Sequence, residues 1–210
     1  MNNLSFLFIV LILPKDVFAH HPLNGEIMEN FNDGFLSGIG HPILGLDHLL
    51  FIIGVGLISF LSKRFLNFSF TFIGGTILGL VSMIWGLYLP FYEIMISFTL
   101  LLLGYLILAT RQIRYDGLLF TLFGVFHGWA YGAIFSNDVK LNIDVLFGYS
   151  LGLLFTQLTI VILGFKLFSY LNRFKSNNFS VVPVFGGIII GVASVSLFEI
   201  FESSILSLFY

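Results

Sequence analysis

Two histidines and an aspartate fall within one short stretch, His41-Pro42-Ile43-Leu44-Gly45-Leu46-Asp47-His48, at the mouth of an apolar run that continues to Leu61. An ionisable group near the centre of a membrane helix costs about 2.5–3.5 kcal/mol on insertion scales, so it is rarely kept there without a task. Imidazole plus carboxylate, in a chain with no cysteine, is a ligand set for a borderline divalent metal such as nickel, cobalt or zinc. On a regular helix His41 and His48 would share a face but stand about 10.5 Å apart along the axis. Metal–nitrogen bonds are only about 2.0–2.1 Å, so that separation strains a shared coordination sphere. Two successive binding positions, or an irregular helix, fit better than one closed cage. Successive weak sites are also what conduction needs, because the ion must leave as well as enter. The plainer reading is that Asp47 sits favourably at the positive end of a helix dipole and His48 hydrogen-bonds inside a bundle.

Other polar positions could join these. His127, in Phe126-His127-Gly128-Trp129-Ala130-Tyr131-Gly132, is flanked by small residues that leave space for an ion. Glu93 follows Pro90 at the start of an apolar run, and Glu199 and Glu202 lie one turn apart near the end of the chain. Gln157 and Thr159 could supply neutral oxygens, although such residues more often hydrogen-bond between helices. His20 and His21 would stand at a new amino terminus if the chain were cut after Ala19. A terminal amine beside two imidazoles can chelate a divalent cation once deprotonated, though the pair could equally be there by chance.

The elements that must position these groups are membrane helices. The chain is 58% hydrophobic and 10% charged, with mean hydropathy +1.02, whereas soluble domains carry about 25% charged residues. There is no G-x-x-x-x-G-K-[ST] phosphate loop and no room for a nucleotide-binding domain. The absence of cysteine excludes disulfides, iron–sulfur clusters and thiolate metal sites. Leu4 to Leu13 has the length of a signal h-region rather than a span, and Val17-Phe18-Ala19 supplies small residues at −3 and −1, so residues 1–19 are expected to be a signal peptide. Residues 20–41 form an outer segment. Within it Ile27, Phe31, Phe35 and Ile39 recur every four residues, which predicts a short amphipathic helix lying on the outer membrane surface. Residues 42–210 form a six-helix transmembrane domain, with spans near 42–61, 68–89, 91–109, 117–136, 143–168 and 181–206 and Pro42 in the first turn of the first. The fold class is therefore all-α membrane protein.

Lys63 and Arg64, Arg111 and Arg114, and Lys166, Arg173 and Lys175 fall at alternate connections, with Lys140 alone on the other side. This predicts that those connections are cytoplasmic and that both mature termini face out. Gly75-x-x-x-Gly79 and Gly187-x-x-x-Gly191 predict close helix contacts. They sit in similar strings, GGTILGLVS and GGIIIGVAS. Gly45-Leu46-Asp47-His48 likewise echoes Gly124-Val125-Phe126-His127, but the two echoes imply different offsets and cannot both report an inverted repeat.

HPILGLDHLLFIIGVGL closely resembles the H-P-x-x-G-x-D-H-[LI]-L…V-G-L signature of the HupE/UreJ family of bacterial nickel and cobalt permeases. The Pro90-x-x-Glu93 hairpin and the His-Gly-x-Ala motif at His127 agree with that family. Where its members often carry a second His and a Glu after the latter motif, this chain has Tyr131 and Ile134. The resemblance implies secondary transport of Ni²⁺ or Co²⁺ across the bacterial inner membrane, not catalysis. It carries over to His41, Asp47, His48, Glu93 and His127, with His20 and His21 expected to capture the ion outside. The expected partners are the divalent metal ion, as substrate rather than resident cofactor, and membrane lipid, without nucleic acid and with homo-oligomerisation left open. The rival readings are haem held by His48 and His127, a metal-dependent intramembrane hydrolase, and a metal-binding membrane protein without net flux.

Overall fold

The computed structural model describes residues 28–87, 89, 91–109, 116–135, 142–174 and 180–206. The signal peptide, His20 and His21, Pro90 and the charges at Arg111, Arg114, Lys140 and Lys175 lie outside them. Among the described residues every regular element is helical: α1 (Phe31–Leu44), α2 (Leu46–Ser62), α3 (Phe65–Ile84), α4 (Tyr92–Ala109), α5 (Asp116–Gly132), α6 (Ile143–Leu171) and α7 (Val181–Leu206). Five helices are long and apolar enough to cross a membrane, or six if α1 and α2 count as one broken span.

That break corrects the expected course of the first span. Asn30 starts α1 with a capping box: its side chain accepts from the Asn32 and Asp33 amides, while Asp33 accepts from the Asn30 amide. The helix then runs straight through the expected surface segment and past residue 41. Pro42 lies in its last turn rather than at the start of a span. Gly45 is extended, its N–H closes α1 onto the His41 carbonyl, and its own carbonyl opens α2 by accepting from Leu49. The chain bends there by 80°.

Nor does α1 simply float on an apolar stripe. Its buried face is Gly34, Ser37, Gly38 and Pro42, while Phe31 is exposed. A Cβ at Gly34 or Gly38 would strike the Val145 or Tyr149 carbonyl of α6, and one at Gly148 or Gly152 of α6 would strike the Phe31 or Phe35 carbonyl of α1. The α3–α5 pair locks in the same way, with Gly75 and Gly79 against the Thr121 and Val125 carbonyls and Gly124 and Gly128 against those of Phe72 and Thr76. Close backbone approach through small residues is the usual packing device in lipid, where burial of apolar surface offers no gain. The expected contact at Gly75 and Gly79 is thus present. At Gly187 and Gly191 it is absent, since nothing lies within 4 Å of a Cβ built there.

Both locked pairs are parallel, and α2 threads the bundle centre. Phe51, Ile52, Val55 and Leu57 of α2 are wholly buried, as expected of a helix that is apolar all round. Helix α4 packs on α7 and against α2, completing the bundle. At the Lys63–Arg64 connection, Arg64 pairs with Asp116 at the start of α5, tying two connections at one end of the molecule. Helix α6 continues to Leu171, so Lys166 is an exposed residue within the helix, not part of a connection. At the opposite end the Trp129 indole N–H donates to the Leu87 carbonyl and pins the α3–α4 hairpin to α5.

Candidate functional site: a line of imidazoles at a helix break

Helix α1 ends and α2 begins at Gly45, and this brings His41 and His48 far closer than a straight helix would. Their ring centroids are 5.7 Å apart. At Gly45 a Cβ would lie 3.0 Å from His48 Nδ1 and 3.2 Å from Asp47 Oδ1, a tight contact to which these side chains would have to yield. Asp47 Oδ1 accepts from both the His48 backbone N–H and His48 Nδ1, each at 2.8 Å. His127, from α5, lies with its ring 5.4 Å from that of His48.

The hydrogen-bond partners assign the same tautomer to all three rings. A carboxylate only accepts, so His48 Nδ1 carries the proton given to Asp47. The Phe123 carbonyl, 2.9 Å from His127 Nδ1, likewise only accepts. At His41 the partner is the Tyr149 hydroxyl, 2.7 Å from Nδ1. That hydroxyl spends its single proton on the Tyr131 carbonyl at 2.9 Å, so it accepts from His41. In each ring Nδ1 is therefore the committed nitrogen, and in His48 and His127 Nε2 is left without a hydrogen-bond partner, the arrangement in which an imidazole binds a metal while a neighbour orients it.

Six buried side-chain polar atoms among the described residues have no hydrogen-bond partner, and four of them belong to this centre: His48 Nε2, His127 Nε2, Tyr131 Oη and Gln157 Oε1. Leaving a buried polar atom unpaired costs about 1–3 kcal/mol, so four together mark a polar centre at which a water or an ion would find partners. The rings of His41 and His48 lie 5.0 Å and 4.7 Å from that of Tyr131. No three of the described His, Asp and Glu side chains close into a ready metal cage; the imidazoles are arranged in a line.

Below His127 the line meets a plug of phenylalanines. The Phe51 and Phe72 rings lie 4.2 Å and 5.8 Å from His127, and Phe123, Phe120 and Phe68 continue the stack towards the Arg64–Asp116 end. The centre thus sits between the two glycine-locked pairs, with His41, Tyr149 and Gln157 from one, His127 and Tyr131 from the other, and His48 on α2 between them.

The structure therefore brings together His41, Asp47, His48 and His127. It leaves Glu93 exposed in the first turn of α4 and does not join it to the imidazoles. Thr159 is half-buried and bonds back to the Phe155 carbonyl, and Glu199 and Glu202 are exposed on α7. Sequence reasoning missed Tyr149 and passed over Tyr131. A tyrosine in mid-span must find a partner for its hydroxyl, which was the available signal.

A helical bundle with several membrane-spanning helices and a buried imidazole line at a helix break defines a multi-pass membrane protein with a polar centre. The family model described as HupE / UreJ protein matches residues 8–197, and the chain belongs to that family. Protein HupE of Rhizobium leguminosarum bv. viciae is 29% identical to it over 185 residues, covering 84% of this chain and 87% of that protein. No solved structure matches the chain.

Proposed function

We propose that this protein is an inner-membrane permease that imports a divalent transition-metal ion, Ni²⁺ or Co²⁺, by secondary transport. The observation that carries the reading is the common tautomer of His41, His48 and His127, each with Nδ1 committed to an acceptor. The Nε2 atoms of His48 and His127 have no hydrogen-bond partner, and with His41 the rings stand one after another along a path that suits a borderline cation. Asp47 orients His48 and supplies the negative charge that a dication meets on entering a low-dielectric interior.

In this reading His20 and His21 capture the ion outside and Glu93 assists at the entrance. The ion passes from His41 to His48 and then to His127. Release to the cytoplasm requires Phe51, Phe72 and Phe123 to part, and the seam between the locked helix pairs is where such a movement would run. A line of donors rather than a closed cage suits passage, because no single position holds the ion too tightly to leave. No ATP is needed: two charges moving down about 100 mV gain roughly 4.6 kcal/mol, enough for about a thousandfold accumulation.

The test is uptake of radiolabelled Ni²⁺ and Co²⁺ by cells with and without the protein, beside a His48→Ala variant at matched membrane level. Saturable uptake that needs the protein and is lost in the variant is expected. Equal accumulation in all three strains would overturn the reading.

A further inference from the structure

We propose that Tyr131 Oη and Gln157 Oε1 are oxygen ligands of the transported ion, completing with His48 and His127 a mixed nitrogen–oxygen set at the seam between the two glycine-locked helix pairs. The inference rests on the metal-permease reading and deepens it.

Tyr131 and Gln157 are both wholly buried, and both leave an oxygen without a hydrogen-bond partner. The Tyr131 ring is 4.7 Å from that of His48, and Gln157 Nε2 reaches Thr76 one turn from Phe72, whose ring lies 5.8 Å from that of His127. The orientation of the Gln157 amide follows from its neighbour. Thr76 gives its one hydroxyl proton to the Phe72 carbonyl at 3.1 Å, so Thr76 Oγ1 accepts from Gln157 Nε2 at 3.4 Å. The amide nitrogen is turned to α3 and Oε1 is left as the bare acceptor. Tyr131 is held in turn through its carbonyl, which accepts from Tyr149. Each oxygen is therefore fixed from behind by the helix pair opposite its own and is unmatched in front.

The chemistry fits a dication in transit. Two imidazoles and two neutral oxygens satisfy a borderline metal without adding negative charge beyond Asp47, so the ion is desolvated but not trapped. Because Tyr131 belongs to the α3–α5 pair and Gln157 to the α1–α6 pair, an ion bound by both bridges the seam. Sliding the pairs apart would remove one oxygen and loosen it.

The test is titration of the purified full-length protein in detergent with Co²⁺, whose visible absorption reports the number and type of its ligands. Wild type should give saturable binding with a defined band. Loss of a direct ligand should weaken binding at least as much as loss of an orienting partner does, about 10–100-fold, and should shift the band; Tyr131→Phe and Gln157→Leu are expected to do both. Gln157→Glu replaces a neutral oxygen by a carboxylate and should bind Co²⁺ about tenfold tighter, a gain that a merely structural glutamine would not give. If Tyr131→Phe fails to fold, Gln157→Glu decides alone. Unchanged affinity and spectrum in the folded variants, or altered melting without a spectral shift, would overturn the inference while leaving the permease standing. Wild-type protein that neither binds Co²⁺ nor supports uptake would overturn both.

Discussion

Removing the Asp47 carboxylate separates orientation of the imidazole line from its charge. Asp47 Oδ1 accepts twice from His48, from the backbone N–H and from Nδ1, both at 2.8 Å. Without it the Nδ1 proton has no acceptor at a ring that is only 5% exposed, and nothing holds Nε2 as the lone-pair atom. A hydrogen bond to a charged group is worth about 1.5–3 kcal/mol, and losing the partner that orients a ligating histidine typically costs 10–100-fold in metal affinity. Asp47→Ala should therefore raise the half-saturating metal concentration for uptake by about 10–100-fold. Asp47→Asn keeps an oxygen acceptor of the same shape and loses only the charge. The Asp47 side chain is about a quarter exposed, so solvent screens part of that charge and the loss should be smaller, near the lower end of the range. The assay is initial-rate uptake against metal concentration at matched membrane abundance. If Asp47→Ala matches wild type in half-saturation, the orienting role is refuted; if Asp47→Asn is as damaged as Asp47→Ala, charge rather than tautomer is the decisive contribution.

Three further outcomes are expected. Gly124→Ala puts a Cβ against the Phe72 carbonyl and should destabilise the protein by about 1–3 kcal/mol, whereas Gly74→Ala meets nothing within 4 Å and should melt like wild type in detergent. A cysteine at Asn137 should react with an impermeant reagent from outside intact cells while one at Asn177 should not, and mature protein should begin at His20; labelling of Asn177 from outside would reverse the orientation. Since protons compete with a metal ion for imidazole nitrogen, uptake at limiting metal should fall as external pH drops from about 7.5 to 5.5 and recover at saturating metal; a rise towards acid pH at fixed membrane potential would point instead to proton-driven symport.

His41, Asp47, His48 and His127 were legible in the sequence because each is an ionisable group in an apolar run, and the cost of placing it there is independent of the fold. Their arrangement was not legible. Pro42 is compatible with a helix start, and on a straight helix it would have left His41 and His48 about 10.5 Å apart. In the fold Gly34 and Gly38 pack into α6, and α1 runs on through Pro42 to Leu44 before the break at Gly45. Glu93 carried the same cost argument as the histidines, yet it is exposed at its helix end, where no burial cost arises.

The misread faces have one physical origin. In water an apolar stripe such as Phe31, Phe35 and Ile39 marks the side of a helix that others cover. In lipid the large side chains can face the solvent and the small ones meet the neighbouring backbone, so the covered side of α1 is Gly34, Ser37, Gly38 and Pro42. Small-residue spacing alone does not finish the argument, because Gly187 and Gly191 repeat it on a face that meets nothing within 4 Å. What separates the occupied faces is reciprocity: Gly75 and Gly79 find Gly124 and Gly128 opposite, as Gly34 and Gly38 find Gly148 and Gly152. Such matched pairs produce two parallel units, and a centre that takes His41 and Gln157 from one, His127 and Tyr131 from the other and His48 from α2 between them would change its geometry if the units moved. On the permease reading proposed above, that coupling between helix packing and ligand number is what a carrier without ATP needs, because a displacement that opened the Phe51–Phe72 plug would also loosen the ion.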